Sequence, residues 1–256
     1  MPLLSSVEGK FRHLRERVAE RAVRAFPAAT LNVACTRPIV SFTFDDVPDT
    51  ALTAGARILE ENGVRGTFYI AGNLLGRMEP DRTLISAEGC RQLVEAGHEI
   101  GCHTFAHKAV HSLSSEELRD DLEQNDDLLD GFQAGAGRRN FAYPYNQGSL
   151  RHRRLFAERY ETARGGGDQI NRGEVNRSYL WGMEIRQPES DAMALVNQID
   201  AVVAEPGWLV FFTHDISDTP TPFGCTPSTF ATLVHYAVSK GCLVLPVRDA
   251  LDQIEQ

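Results

Sequence analysis

The sequence has 256 residues and carries 26 lysines and arginines against 35 aspartates and glutamates, so its formal net charge is −9. This length accommodates one α/β domain with a buried core. The acidic balance argues against a nucleic-acid-binding protein, because such surfaces carry an excess of positive charge. No apolar run approaches the roughly 18 residues that a bilayer-spanning helix needs. We therefore expect one main domain without nucleic acid as a partner and without a transmembrane segment.

The segment from Met1 to Ala34 has apolar residues three or four positions apart, which predicts an amphipathic helix with a basic outer face. Its six basic residues against three acidic ones leave a net charge of +3. We interpret residues 1–34 as a helical extension that packs on the domain or on a second subunit of a homo-oligomer. The alternative is contact with an anionic membrane surface or a lipid-linked substrate.

Two features predict a cytoplasmic protein, or one held peripherally at the inner membrane surface. The first 34 residues lack the apolar core of a signal peptide. The five cysteines are odd in number and widely spaced, and none forms the CxxC pair of a structural zinc site.

After Pro38, short β-branched or aromatic runs alternate with helical patterns, as in repeated βα units around a parallel sheet. We assign this region, residues 35–256, to the main domain. Eight strands are predicted, at residues 39–44, 66–70, 98–102, 140–143, 161–164, 180–186, 208–213 and 243–247. The clearest helices are predicted at residues 50–62, 87–96, 114–131, 191–204 and 227–239. Ser114 and Glu117 form a capping-box pattern at the start of the third helix.

Polar residues follow several predicted strands, and in a parallel barrel such strand ends meet at one mouth. Asp45 and Asp46 follow the first strand, where one carboxylate can bind a cation while the other acts as a base. Taken alone, the pair fits an Asx turn or a helix cap equally well.

His103 and His107 lie four positions apart after the third strand, so two imidazoles can converge on one cation. The alternative is a hydrogen-bonded polar pair near the surface. Together with Asp46 they form a set of two histidines and one carboxylate. Such a set leaves coordination positions open for water and substrate, as catalytic metal sites do.

Four motifs in this order resemble those of the polysaccharide deacetylases, also called carbohydrate esterase family four. They are Thr43-Phe44-Asp45-Asp46, His103-Thr104-x-x-His107, Pro144-Tyr145 and Phe212-Thr213-His214. The resemblance runs from about Arg37 to the C-terminus. It implies a distorted (β/α) barrel of seven or eight parallel strands, to which the N-terminal amphipathic helix is added.

The same resemblance implies roles for individual residues. Asp45 becomes the general base, Asp46, His103 and His107 become ligands of zinc or a similar divalent ion, and His214 becomes the general acid. A metal-activated water would then attack an amide carbonyl, and the backbone N–H of Tyr145 would stabilise the oxyanion. Phe212 replaces the leucine that usually lines the acyl pocket. Cobalt, nickel and manganese remain alternatives to zinc.

The chain departs from the family pattern where an arginine usually pairs with the catalytic base, because Ala142 occupies that position. The usual Asp-Trp cluster of the fourth motif is also absent. We hypothesise that Arg164 supplies the guanidinium from the next strand end, with Asp168 or Asp215 positioning a neighbouring group. The alternative is an exposed Arg164–Asp168 pair of little energetic worth.

These features predict a metal-dependent carbohydrate N-deacetylase that acts on an N-acetylated amino sugar or glycan. Soluble oligomers, nucleotide-linked sugars and lipid-linked precursors all fit as substrates. Two alternatives stay open: a hydrolase of a non-sugar amide or ureide, and a non-catalytic carbohydrate-binding relative. Trp181 and Trp208 either stack on sugar rings or belong to the core.

Overall fold

The computed structural model describes residues 21–133, 140–186 and 192–256. Its strands are β1 (Thr30–Val33), β2 (Ile39–Asp45), β3 (Thr67–Ile70), β4 (Glu99–Cys102), β5 (Asn140–Ala142), β6 (Thr162–Arg164), β7 (Gly173–Asn176), β8 (Met183–Glu184), β9 (Trp208–Thr213) and β10 (Leu243–Val244). Its helices are α1 (Arg57–Glu61), α2 (Ala87–Glu95), α3 (Ser115–Gln133), α4 (Arg153–Arg159), α5 (Ala192–Ala204), α6 (Pro227–Ser239) and α7 (Val247–Ile254).

Eight strands form one parallel sheet in the order β6-β5-β4-β3-β2-β9-β8, with β10 paired to the start of β2. The segment 180–185 links the two edges of this sheet. Leu180 donates to the carbonyl of Ala163 on β6 (2.8 Å), and the backbone N–H of Ile185 donates to the carbonyl of Phe212 on β9 (2.8 Å). The sheet thus curls into a distorted (β/α) barrel, as predicted.

Residue pattern explains why β2 lies at the centre of the sheet. All seven of its residues are buried, as expected for a parallel strand that is covered on both faces. Phe44 stacks on Phe68 of β3 at 4.5 Å between ring centroids, and Phe42 stacks on Phe211 of β9 at 5.5 Å. This packing fixes the strand whose end carries Asp45.

The helices predicted from sequence are found, and their ends agree within a few residues. The helix predicted at residues 50–62 begins with a π-helical turn (Ala51–Ala56) that leads into α1. The predicted capping box at α3 is present, because Glu117 accepts from the backbone of Ser114 (2.8 Å) and Ser114 Oγ accepts from the backbone of Glu117 (3.2 Å). Helices α4 and α7 were missed.

The predicted N-terminal helical extension is only partly described. Residues 1–20 lie outside the described residues, and residues 21–25 are helical. Thr30–Val33, which we placed in the extension, is instead strand β1, paired antiparallel with β7. Its residues are alternately exposed and buried, which suits a strand with one solvated face. The division at residue 34 stays a prediction.

Among the described residues, no helix has the length and apolar character needed to cross a bilayer. All five cysteines are free thiols. Trp208 is fully buried and its indole N–H donates to Ser41 Oγ (2.9 Å), so it belongs to the core and does not stack on a sugar.

Candidate active site

The two adjacent carboxylates stand at the end of β2. Asp45 is its last residue, and Asp46 and Val47 then take positive φ angles of 58° and 56°. Such angles are strained for residues with a Cβ and cluster at functional sites. This sharp turn sends the two consecutive side chains in different directions. Both carboxylates are almost completely buried, at 3% and 6% exposure.

The two histidines of the second motif are held by a tight loop after β4. Thr104 and His107 adopt positive φ angles of 63° and 51°. Asp121 on α3 accepts hydrogen bonds from the backbone N–H groups of Phe105 and Ala106, at 2.8 and 2.9 Å. The Asp121 carboxylate therefore fixes the loop between the two histidines to α3, and both imidazoles face Asp46.

Asp46, His103 and His107 come together as a candidate metal centre. One ligand atom from each lies within 4.8 Å of the others. Asp46 Oδ1 lies 2.8 Å from His107 Nε2 and 3.5 Å from His103 Nε2. Tetrahedral zinc with ligands at 2.0–2.2 Å needs ligand atoms about 3.3–3.6 Å apart, so the 3.5 Å separation suits it and the 2.8 Å separation would have to widen by about 0.5 Å.

The donor set also fits a cation chemically. Asp46 Oδ1 is buried, and among the described residues it faces the Nε2 atoms of His107 and His103, which are the other two candidate ligand atoms. Burial would raise the pKa of Asp46, but the hydrogen bond to His107 and the charges of His103, His107 and His214 outweigh it and hold that pKa well below its ordinary value. The carboxylate is therefore ionised, as a metal ligand must be.

The second nitrogen of His103 is occupied by the protein. His103 Nδ1 lies 2.8 Å from the carbonyl oxygen of Ala142, and because a carbonyl only accepts, Nδ1 carries the proton. The lone pair of Nε2 then faces Asp46, the arrangement that orients metal-binding histidines. Burial lowers the pKa of His103 to about 4, against the opposing charge of Asp45, so the imidazole is neutral near neutral pH.

Asp45 faces a different partner. Arg164 Nη2 donates to both oxygens of the Asp45 carboxylate, at 2.5 Å for Oδ1. Ala142 of β5 is the register partner of Arg164 on β6, and paired residues on parallel strands point to the same face. Arg164 thus reaches Asp45 from the strand adjacent to the one that carries Ala142. Arg164 therefore contacts Asp45 as the hypothesis of a replacement for the missing arginine predicts.

The Arg164 side chain is only 1% exposed and is supported on several sides. Its Nη1 donates to Asn146 Oδ1 (2.7 Å) and to the carbonyl of Gly165 (3.1 Å). Its guanidinium carbon lies 4.4 Å from the centre of the Phe212 ring, within the range of a cation–π contact. Phe212 thus packs against the arginine that holds Asp45. The alternative of an exposed Arg164–Asp168 pair is wrong.

His214 follows β9 at the same mouth. Its Nδ1 lies 3.2 Å from the carbonyl oxygen of Phe223 and therefore carries a proton, which leaves Nε2 available. Asp215 accepts from the backbone N–H of Thr221 (2.8 Å) and from its hydroxyl (2.5 Å). In this way Asp215 holds the loop whose carbonyl orients His214.

Tyr145, which belongs to the third motif, lies beside His107 of the candidate metal centre. It has a φ of 58°, its ring lies 4.9 Å from that of His107, and its hydroxyl donates to the His107 carbonyl (3.2 Å). The ring is 59% exposed and so forms part of the mouth. Trp181 is partly buried and stacks with Arg24, whose guanidinium carbon lies 4.3 Å from the ring centre.

Two charged residues at the site were missed from sequence. Arg82 donates to Asp46 Oδ2 (2.9 Å) and, through Nε, to Glu79 (2.8 Å). Glu184 lines a cavity of about 280 Å³ together with Asp168 and Arg186. Burial raises the pKa of Glu184, partly offset by the charges of Arg186 and His214. Neither residue lies in a recognisable motif, so only the folded chain shows them.

Known proteins resemble this chain in sequence and in fold. Residues 33–159 match the family model described as polysaccharide deacetylase. A chitin deacetylase from Colletotrichum lindemuthianum is 32% identical over 115 residues, which cover 43% of this chain and 45% of the relative. A peptidoglycan-N-acetylglucosamine deacetylase from Bacillus cereus is 32% identical over 85 residues, which cover 33% and 36%. The chain spans less than half the length of these relatives.

Solved structures share the fold. A family 4 acetyl xylan esterase from Clostridium thermocellum, in complex with a cobalt ion, gives a TM-score of 0.58 at 22% identity, covering 84% of this chain and 90% of that one. A family 4 carbohydrate esterase pseudoenzyme from Bacillus anthracis gives 0.60 at 18% identity, covering 89% and 70%. The resemblance predicted from the four motifs is confirmed. The family match includes Asp45, Asp46, His103 and His107 but ends before Arg164 and His214.

Proposed function

We propose that this protein, which belongs to the polysaccharide deacetylase family, is a metal-dependent hydrolase that removes an N-acyl group, expected to be N-acetyl, from an amino sugar or glycan. The observation that carries the proposal is the convergence at one barrel mouth of a cation-binding set and a separate paired carboxylate. Asp46, His103 and His107 form the first. Asp45, bound by Arg164, forms the second.

A divalent cation bound by the three ligands would supply Lewis-acid chemistry, polarising the substrate carbonyl and promoting loss of a proton from water. Asp45 accepts that proton as the water oxygen adds to the carbonyl carbon. The backbone N–H of Tyr145 donates to the developing oxyanion. His214, which needs a second proton on Nε2 for this step, gives that proton to the amide nitrogen as the C–N bond breaks, and the proton held by Asp45 then replaces it. One water is consumed, and a carboxylic acid and a free amine are formed.

The arrangement of Asp45 and Arg164 fits the base role physically. Two fixed N–H···O contacts hold the carboxylate in one orientation, so little reorganisation is needed when the proton arrives. The non-catalytic alternative depended on the loss of the pairing arginine. Since Arg164 occupies that place, the structure favours the catalytic interpretation.

The substrate proposal rests on the relatives. Two relatives that are each 32% identical over the matched residues are named for chitin and for peptidoglycan N-acetylglucosamine, which supports an N-acetylated amino-sugar oligomer. Zinc is the proposed ion, with cobalt, nickel and manganese as alternatives that the same ligands accept. A cytoplasmic location remains part of the proposal, supported by the five free thiols. A lipid-linked substrate and a homo-oligomer stay predictions.

The test is acetate release from N-acetylglucosamine oligomers by the purified protein, before chelation, after it, and after zinc or cobalt is restored. We expect release to stop on chelation and to return with the ion. D45N should abolish release, whereas D49N, a change at an exposed aspartate three positions after Asp46, should leave it unchanged. Release that persists in D45N contradicts the proposed base. Turnover confined to ureides or non-sugar amides would favour the alternative hydrolase.

A further inference from the structure

The start of the described chain docks against the active-site side of the barrel. Val23 is 1% exposed within the main core, and its carbonyl accepts from Asn176 Nδ2 (2.9 Å) on β7. The neighbouring Arg24 places its guanidinium carbon 4.3 Å from the Trp181 ring centre and 5.2 Å from that of Tyr179. Arg24 Nη2 also donates to the carbonyl of Gly166 (3.3 Å). Val23 and Arg24 precede the region that matches the family model, which begins at residue 33.

The groups that Arg24 contacts adjoin the groups that hold Arg164. Gly166 lies two residues after Arg164, and the carbonyl of Gly165 accepts from Arg164 Nη1 (3.1 Å). The Tyr179 hydroxyl donates to the backbone carbonyl of Asn146 (2.5 Å), whose side chain accepts from Arg164 Nη1 (2.7 Å). One layer of contacts therefore separates Arg24 from the arginine that binds Asp45.

The packing in this layer is close enough to transmit a displacement. A Cβ built on Gly167 would lie 2.4 Å from the Trp181 ring and 2.7 Å from Arg24 Nη2. A Cβ on Gly165 would lie 2.1 Å from the Tyr179 ring. The glycines thus allow the loop and the aromatic pair to touch directly. With Arg24 removed, one face of this loop loses its cover and its carbonyl loses a donor.

We propose that Arg24 is a positioning residue for the Asp45–Arg164 pair, so that the chain around residues 21–26 helps to place the proposed base. The inference rests on the proposed function. Arg24 acts by holding Gly166 and the Tyr179–Trp181 face. These in turn keep the Arg164 guanidinium in the orientation that fixes the base. A residue that only stabilised the fold would change the melting temperature without changing turnover by the folded enzyme.

The experiment compares R24Q and R24K with R21Q, a control at an exposed arginine three residues earlier in the same helical turn. Acetate release is measured well below the melting temperature of each variant. A small misplacement transmitted to a reacting group can cost up to about 100-fold in rate, so we expect R24Q to lower kcat about 10-fold with KM within about twofold. R24K, which keeps the cation over the rings, should fall between R24Q and wild type. R21Q should match wild type.

A double variant tests whether Arg24 acts through Arg164. If it does, R24Q combined with R164M should be no slower than R164M alone, since the pair is already broken. Wild-type kcat in R24Q would overturn the inference, as would a full multiplication of the two effects.

Hydrogen exchange provides a readout that does not depend on the reaction. The amides of Gly165 and Asp168 are bound to the carbonyls of Leu180 and Gly182, and their exchange should accelerate in R24Q but not in R21Q. Unchanged exchange in R24Q overturns the inference even if the protein proves to be inactive. A wild-type protein that releases no acetate while this exchange still accelerates would instead overturn the proposed function.

Discussion

Replacing Arg164 by methionine removes the cation that pairs with Asp45 and keeps most of the apolar volume. The two side chains are 1% and 4% exposed, so water cannot take the place of the guanidinium. Asp45 is then left buried with its charge unpaired. The Asn146 side chain and the Gly165 carbonyl also lose a donor.

The magnitude follows from this burial. Breaking a buried ion pair by removing one partner costs about 3–5 kcal/mol. For a chain of this size, 1 kcal/mol shifts the melting temperature by roughly 2–4 °C, so R164M should melt roughly 6–20 °C below wild type. Loss of the fixed orientation of the base should lower kcat by about 100-fold. R164K keeps a charge but cannot contact Asp45 and Asn146 together, so its kcat should lie between those of R164M and wild type.

The assay is steady-state acetate release at saturating substrate, with thermal unfolding of the same zinc-loaded preparations. Because Asp45 is proposed to act as the base in the chemical step, kcat should fall while KM changes little. Arg177, which donates to the backbone carbonyl of Glu161 away from Asp45, offers a matched arginine for an R177M control. A kcat for R164M within threefold of wild type would refute the assignment of Arg164 as the partner of the base.

Three other changes test neighbouring parts of the account. D121N removes an acceptor from the loop that carries the histidines and should weaken zinc binding about 10-fold in calorimetry, whereas the exposed D120N should not; equal affinities would show that the loop holds itself. Burial lowers the pKa of His103 from 6.5 to about 4, so its contribution to the stability of the metal-free protein is complete above pH 6.5 and declines toward pH 4. The free energy of unfolding in urea should therefore fall more steeply from pH 7.5 to pH 5 in wild type than in H103Q. Equal slopes in the two proteins would contradict this. W208F should cost about 2 kcal/mol of stability at unchanged kcat, and a large rise in KM without loss of stability would return Trp208 to the sugar-binding candidates.

The fold could be predicted from sequence where a pattern extended over several residues. The fully apolar run of β2 and the capping box at Ser114 are local signals, and both elements appear where they were expected. Strand β8 illustrates the opposite case. We predicted residues 180–186 as one strand, but the segment crosses from β6 to β9, and only Met183–Glu184 pairs as a strand. Which neighbour a short segment pairs with is decided by tertiary packing.

The candidate site divides in the same way. Asp45, Asp46, His103 and His107 lie in motifs with fixed spacing, so they could be found without coordinates. Arg164 could be proposed from sequence only because Ala142 left the base without a cation. The structure shows that Arg164 lies in register with Ala142 on the adjacent strand. Arg82 and Asp121 act through contacts with residues 15 to 36 positions away. Sequence spacing contains no signal for such contacts.

Zinc binding by protein from which a chelator has removed all metal tests the central claim most directly. Calorimetric titration with zinc should give one ion per chain for wild type and for D45N, and no binding for the double variant H103Q/H107Q. Acetate release should return in wild type in step with the bound ion and should stay absent in D45N. Binding that is as strong in the double variant as in wild type, or acetate release that continues without any bound ion, would contradict the proposed metal centre.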